Sequence, residues 1–227
     1  MWRIGRVVDL SMRLDGVTPV YPGDPPFSME PVSAFNREGF VVHRLELSTH
    51  AGTHLDAPLH TCCRGLSVDG IPLGNCAGEG LVVDLRGKKA GEPIKREDFS
   101  GLEERMSGEA FVLLHTGWSG KGGRPEYFRH PFMEEEACRF LLQRGVRRFG
   151  IDAPGLDAPG ASPLILHRLI AGHGGIVVEN LVNLEQLDFP RPLICCFPLK
   201  IGGGDASPVR ALALELLPAS GSREGGG

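Results

Sequence analysis

Eleven consecutive residues, His50-Ala51-Gly52-Thr53-His54-Leu55-Asp56-Ala57-Pro58-Leu59-His60, crowd three imidazoles and a carboxylate around a glycine and a proline. Histidine with carboxylate is a borderline donor set that suits zinc or manganese. The backbone that carries these groups is constrained as well. On a helix, at about 100° per residue, Asp56 would point roughly 120° away from His50, and Gly52 and Pro58 both oppose a continuous helix. On one straight strand, at roughly 3.3 Å per residue, His50 and His54 would stand about 13 Å apart, too far to share an ion. The segment is therefore expected to be a strand that ends and folds back, with Gly52 permitting the turn and Pro58 stiffening the exit. A lone histidine in such a turn would usually just hydrogen-bond; four ligand-type side chains at this spacing point to a metal.

The preceding residues support that geometry. Leu45 and Leu47 alternate with Arg44, Glu46 and Ser48, which predicts a half-buried strand over 41–48 that delivers His50 to its end. Catalytic groups commonly sit on loops held by such a scaffold.

With 227 residues, 41% of them hydrophobic and 23% charged, the chain is long enough for one sizeable core. A net charge of −4 gives no reason to expect nucleic acid or an anionic membrane as partner. No apolar run reaches membrane length and no secretory leader is visible, so a cytoplasmic location is expected. The adjacent pairs Cys62-Cys63 and Cys195-Cys196 lack CxxC spacing, which favours idle or buried thiols.

Further along, strands are predicted over 7–11, 81–85, 110–115, 147–152, 175–180, 193–200 and 211–216. The turn Pro22-Gly23-Asp24-Pro25-Pro26 could carry Tyr21 to a pocket edge, though the sequence alone favours simple packing of Tyr21. Residues 88–108 are charged and read as surface. The Gly-rich loop 116–123 lacks phosphate-loop spacing, which argues against nucleotide. One helix is expected over 131–144, with Glu134, Glu135 and Glu136 at its start and Gly145 as its cap. A second should run from Ser162-Pro163 to about Ala171 and carry His167. Glu179 closes the next strand, at the carboxyl end where open α/β sheets gather ligands. Read alone, His167 is a helix-surface histidine and Glu179 a satisfied strand-end carboxylate. Residues 218–227 have nothing to bury and are expected to be disordered.

With these residues in view, the chain resembles the cyclase family of metal-dependent hydrolases, whose best-understood members are bacterial kynurenine formamidases. His50 to His60 fit the family pattern His-x-Gly-Thr-His-x-Asp-x-Pro-x-His at every fixed position. Tyr21-Pro22-Gly23-Asp24-Pro25 resembles its N-terminal turn, and His167 with Glu179-Asn180-Leu181 resembles its second ligand pair. The resemblance spans about residues 8–217. It implies an α/β fold, a mixed β/β/α sheet-barrel of the swivelling type, as a single domain over 1–217. It also implies a two-metal site: His50, His54 and Asp56 on one ion, Asp56 bridging to a second held by His167 and Glu179, and His60 left free as general acid/base. The ions would be Zn2+, two per subunit, or alternatively Mn2+. Family members are commonly dimers, which implies a homodimer or higher homo-oligomer, and the substrate would be a small molecule.

Two metals can hold a hydroxide at neutral pH and polarise a carbonyl, and a histidine suits proton delivery to a leaving nitrogen. The implied reaction is hydrolysis of an aryl formamide such as N-formylkynurenine, a step of tryptophan catabolism, with Tyr21 against the substrate ring. This chain departs from the formamidases at two places: Tyr21 replaces a Trp, and Gly155 stands where Ser is frequent. Both differences suit an alternative, hydrolysis of a cyclic amide or lactone as in isatin hydrolases. A third reading, of another class, is a metal-binding protein without catalysis.

Overall fold

The computed structural model describes residues 2–106 and 110–219. In chain order the strands are β1 (Trp2–Asp9), β2 (Ser28–Ser33), β3 (Val42–Glu46), β4 (His54–Asp56), β5 (Ala77–Asp84), β6 (Pro93–Ile94), β7 (Phe111–His115), β8 (Phe132–Met133), β9 (Arg148–Ile151), β10 (Ile176–Glu179), β11 (Leu193–Cys195), β12 (Ala206–Pro208) and β13 (Leu212–Pro218). The α-helices are α1 (Phe35–Glu38), α2 (Glu135–Gln143) and α3 (Ile165–Gly172).

Nine strands make one mixed sheet, ordered β1-β13-β11-β5-β7-β9-β10-β4-β12. Its centre, β5-β7-β9-β10, is parallel, and β7, β9 and β10 are buried along their whole length, as strands covered on both faces must be. Alternation splits their side chains between two cores. Val112, Leu114, Phe149, Ile151 and Val177 face α2 and α3. Phe111, Leu113, Ile176 and Val178 face a second core shared with Leu10, Leu55 and Ala213. Around this second core the sheet curls until the chain after edge strand β1 reaches the chain after β10: Val182 N–H donates to Leu10 O, and Ser11 bridges to Leu181. The result is the mixed sheet-barrel with helices on one face that the resemblance implied. Gly150 sits where the layers come closest; a Cβ there would lie 2.5 Å from Leu113 Cδ2.

Several expectations need correction. The strand over 41–48 is shorter and is not half-buried: β3 is exposed along its length, and Leu45 is 56% exposed. It pairs only with β2, in a separate two-stranded sheet, so its alternation faces no core. The first helix starts at Glu135, because Phe132–Met133 is drawn into pairing with β6. α3 starts at Ile165, not at Ser162-Pro163; its free N–H groups at Leu166 and His167 donate to the Asp157 carboxylate. Segment 88–106 is not all surface, since Ile94, Phe99 and Met106 are buried, while 107–109 lie outside the described residues. The strand expected over 193–200 stops at Cys195, and Ala206–Pro208 forms a strand that the pattern did not signal. Of the tail, Pro218 ends β13 and 220–227 lie outside the described residues.

Candidate metal centre and pocket

The three residues of β4 are fully buried, wedged between β10 and β12, both antiparallel. Alternation sends Leu55 into the barrel core and His54 and Asp56 to the helix face. Opposite His54 in the ladder stands Glu179, so cross-strand pairing alone puts the two side chains together. His50 comes from the turn before β4. That turn needs Gly52, whose φ is +59° and whose Cβ would lie 2.6 Å from Leu14 Cδ2. Buried Thr53 locks it in place: its hydroxyl donates to Asn180 O at 2.6 Å and accepts from Met12 N–H at 2.8 Å. Pro58 opens a single 3₁₀ turn that ends at His60. His167 is carried in from the helix layer by α3.

The five residues converge. Asp56 Oδ1 lies 3.0 Å from His50 Nδ1 and 3.5 Å from His54 Nε2, while its Oδ2 lies 3.3 Å from His167 Nε2. Glu179 lies 3.0 Å from His167 Nε2 and 3.5 Å from His54 Nε2. Two donor sets result, His50-His54-Asp56 and Asp56-His167-Glu179, with Asp56 common to both. A third set, His50-His60-Asp205, adjoins them. No sequence signal had marked Asp205: it follows a glycine-rich loop, and its Oδ2 sits 3.0 Å from His50 Nε2 and 3.5 Å from His60 Nδ1. His60 itself is partly exposed at the pocket wall, its ring centroid 4.4 Å from that of His50 and 5.9 Å from that of His167.

The hydrogen bonding fits a bound cation. His54 Nδ1–H donates to Gly52 O at 2.8 Å, and His167 Nδ1–H to Asp157 at 2.6 Å. Both rings are thereby oriented with Nε2 toward the carboxylates, as metal-binding histidines are oriented by their outer partners. His54 Nε2 and Asp56 Oδ1 are buried with no hydrogen-bond partner, a state that costs about 1–3 kcal/mol per group unless something positive lies between them. Titration behaviour says the same. Burial opposes charge on His54 and His167, yet the surrounding carboxylates overcome it and raise both. Burial likewise opposes charge on Asp56 and Glu179, but the histidines hold Asp56 well below its usual range and lower Glu179. The site is short of positive charge. Asp157 was not foreseen either, since it lies in a Gly/Pro-rich segment with no periodicity.

These groups form one side of a cavity of about 290 Å³. Its other side is largely apolar, with Phe128, Pro154, Ala158, Ala161 and Leu164. Tyr21 stands at the rim, 45% exposed, edge-on to Phe128 at 6.1 Å between centroids. Gly155 leaves room for little more than a methyl group: a Cβ there would be 3.6 Å from Glu179 Oε1, an ordinary contact. The thiols stand apart from every donor set among the described residues. Cys62 and Cys63 lie past His60 with free thiols, Cys195 is half-buried, and Cys196 donates to Cys76 O. Asp152, at the end of β9, turns away to bind Thr116 and Gly117.

The model of the Cyclase family matches residues 8–158. Kynurenine formamidase of Salinibacter ruber is 34% identical over 209 residues, covering 91% of this chain and 96% of the relative. Kynurenine formamidase of Bacillus cereus is 30% identical over 207 residues, covering 90% and 95%. Among solved structures, isatin hydrolase A from Labrenzia aggregata, bound to benzyl benzoate, matches with a TM-score of 0.83 at 32% identity, over 92% of this chain and 93% of that one. A potential metal-dependent hydrolase with cyclase activity matches with a TM-score of 0.77 at 28% identity, over 92% and 98%.

Proposed function

The chain belongs to the Cyclase family, and from that premise we propose that it hydrolyses an aryl formamide, with N-formylkynurenine to kynurenine and formate as the first choice. That it is a hydrolase acting on amides follows from its relatives. The observation that carries the finer reading is Asp56, whose two oxygens face two separate donor sets at the floor of a pocket with an apolar far side. His50, His54 and Asp56 would hold one ion and Asp56, His167 and Glu179 the other, with Zn2+ as the first choice and Mn2+ as the alternative. Bound there, the metal would polarise the carbonyl and make water acidic enough to react at neutral pH.

The rest falls to the protein. In the hydrolysis a water oxygen bonds to the formyl carbon, the C–N bond breaks, and the leaving nitrogen takes a proton to depart as an amine. His60 would move that proton; it stands beside the donor sets, with Asp205 Oδ2 3.5 Å from its Nδ1. Tyr21 and Phe128 would hold the aryl ring. A second reading, cyclic amide hydrolysis, draws on the isatin hydrolase relatives and on the space beside Gly155. The assembly is read as a homodimer, because β2, β3 and α1 expose Met29, Phe35, Val42 and Leu45 and a lone two-stranded sheet is marginal without a partner surface. No helix among the described residues is long and apolar enough to cross a membrane.

Metal-stripped protein reloaded with Zn2+ or Mn2+ and assayed on N-formylkynurenine and isatin tests the reading. Metal-restored turnover of the formamide supports it, turnover of isatin alone shifts it to the cyclic amide, and no turnover of either removes it. His60→Ala should keep its metal and lose most turnover; an unchanged rate would remove His60 from the reaction.

A further inference from the structure

His130 has no part in the scheme above. It follows residues 125–129 and lines the cavity, yet only 3% of it is exposed. Its Nδ1 lies 2.9 Å from Pro131 O. A carbonyl only accepts, so Nδ1 carries the hydrogen and Nε2 presents a bare lone pair. Burial lowers its pKa, which keeps the ring neutral and that lone pair free near pH 7.

His130 lines the same cavity as the donor sets, with Gly155 beside its Nε2 edge. A Cβ on Gly155 would sit 3.9 Å from His130 Nε2 and 3.6 Å from Glu179 Oε1, so a substrate group placed there would touch both. Among the described residues nothing answers this acceptor: Nε2 has no hydrogen-bond partner there. The neighbouring polar groups are already committed: Tyr127 donates to Asn180 Oδ1 at 2.6 Å, and Asn180 Nδ2 donates to Gly52 O. A partly desolvated acceptor in a largely apolar cavity favours a ligand that brings a hydrogen and disfavours one that brings a second lone pair.

We infer that His130 is a specificity-determining residue whose Nε2 accepts a hydrogen bond from the N–H of the substrate's scissile amide. The inference rests on the amide-hydrolase reading and narrows it. Secondary amides, open or cyclic, satisfy the acceptor. Esters and lactones set an oxygen lone pair against it, so the site selects against them.

The test pairs two substrates that differ at one atom, 2-acetylformanilide and 2-acetylphenyl formate, on metal-loaded wild type, His130→Phe and His130→Gln. In His130→Phe, kcat/KM for the formanilide should fall about tenfold or more while that for the formate ester, relieved of the opposing lone pair, holds or rises. The Gln carbonyl can accept at a similar place, so His130→Gln should regain part of the amide rate. Equal losses on both substrates, or no loss on the formanilide, would overturn the inference. Metal content and melting midpoint of each preparation separate a fold defect from a lost contact. Should wild type hydrolyse neither substrate, the functional reading fails, and the inference is then judged by binding alone. Calorimetry should show wild type preferring 2-aminoacetophenone to 2-methoxyacetophenone; equal affinity would sink the inference without any variant.

Discussion

β3 and β4 are separated by seven residues and live in different worlds. β3 has five residues, pairs on one edge with β2, and is exposed throughout. β4 has only three, yet it pairs on both edges, is buried throughout, and carries two members of the donor sets. By length and apolar content β3 is the stronger strand; by surroundings β4 is the more rigid. A site built from charged and polar atoms needs its backbone held by more than local propensity, because buried imidazoles and carboxylates gain only when their geometry is fixed. β4 has that support from Leu55 beneath it, Thr53 before it and a ladder on each side. β3 has none among the described residues, and its apolar side chains Val42 and Leu45 stay exposed.

The contrast can be broken first at Asp56. Asp56→Ala removes the group common to both donor sets, and it should abolish measurable hydrolysis and lower bound metal to one ion or none, read by elemental analysis. Next comes the support of α3: Asp157→Asn leaves the His167 Nδ1–H with a weaker acceptor, and metal affinity should fall about 10–100-fold in competition with a chelator. Leu55→Ala undercuts β4 from the barrel side without touching a donor. It should cost about 2–5 kcal/mol in urea unfolding, whereas Leu45→Ala in β3 should change the stability of the isolated chain by no more than about 0.5 kcal/mol. If the two changes cost the same, the contrast is wrong.

A pH measurement sharpens the same point. Burial opposes its charge, but Asp56 and Asp205 push His50 up to about 9 from an ordinary 6.5. Because the folded value is the higher, the stability that His50 lends the metal-free protein is fully present below pH 6.5 and is lost as the pH rises through about 9. The urea midpoint of metal-stripped protein should therefore fall over that interval, while metal-loaded protein, in which the cation replaces the proton, should hold steady. The smallest effect is expected at the rim of the hairpin. Phe35→Ser should leave melting and turnover nearly unchanged in any monomer but shift the mass in light scattering if β2 and β3 cover a second copy.

Much of the site could be read from the chain alone because it is local. His50 to His60 carries its chemistry and its turn in one stretch, and Glu179 falls at a strand end where the fold gathers side chains. The alternation in 41–48 was equally visible and misleading: period two reports a pleated strand, not which sheet it joins or whether anything lies on its apolar face. The helix over 131–144 lost its first turn for a similar reason, since Phe132–Met133 is claimed by β6 from some forty residues earlier.

What the amino-acid order determined by itself was the donor chemistry, the family and the central strands with the two longer helices, because each depends on residue type and on spacing of a few positions. The tertiary structure alone decided which carboxylates close the site. Asp205 reaches His50 across 155 positions, and Asp157 reaches His167 from a segment without pattern. It also decided that His130, tied through Nδ1 to Pro131 O, would line the pocket. Such contacts arise only when the sheet curls and the helix layer settles on it, and short-range periodicity carries no record of that closure.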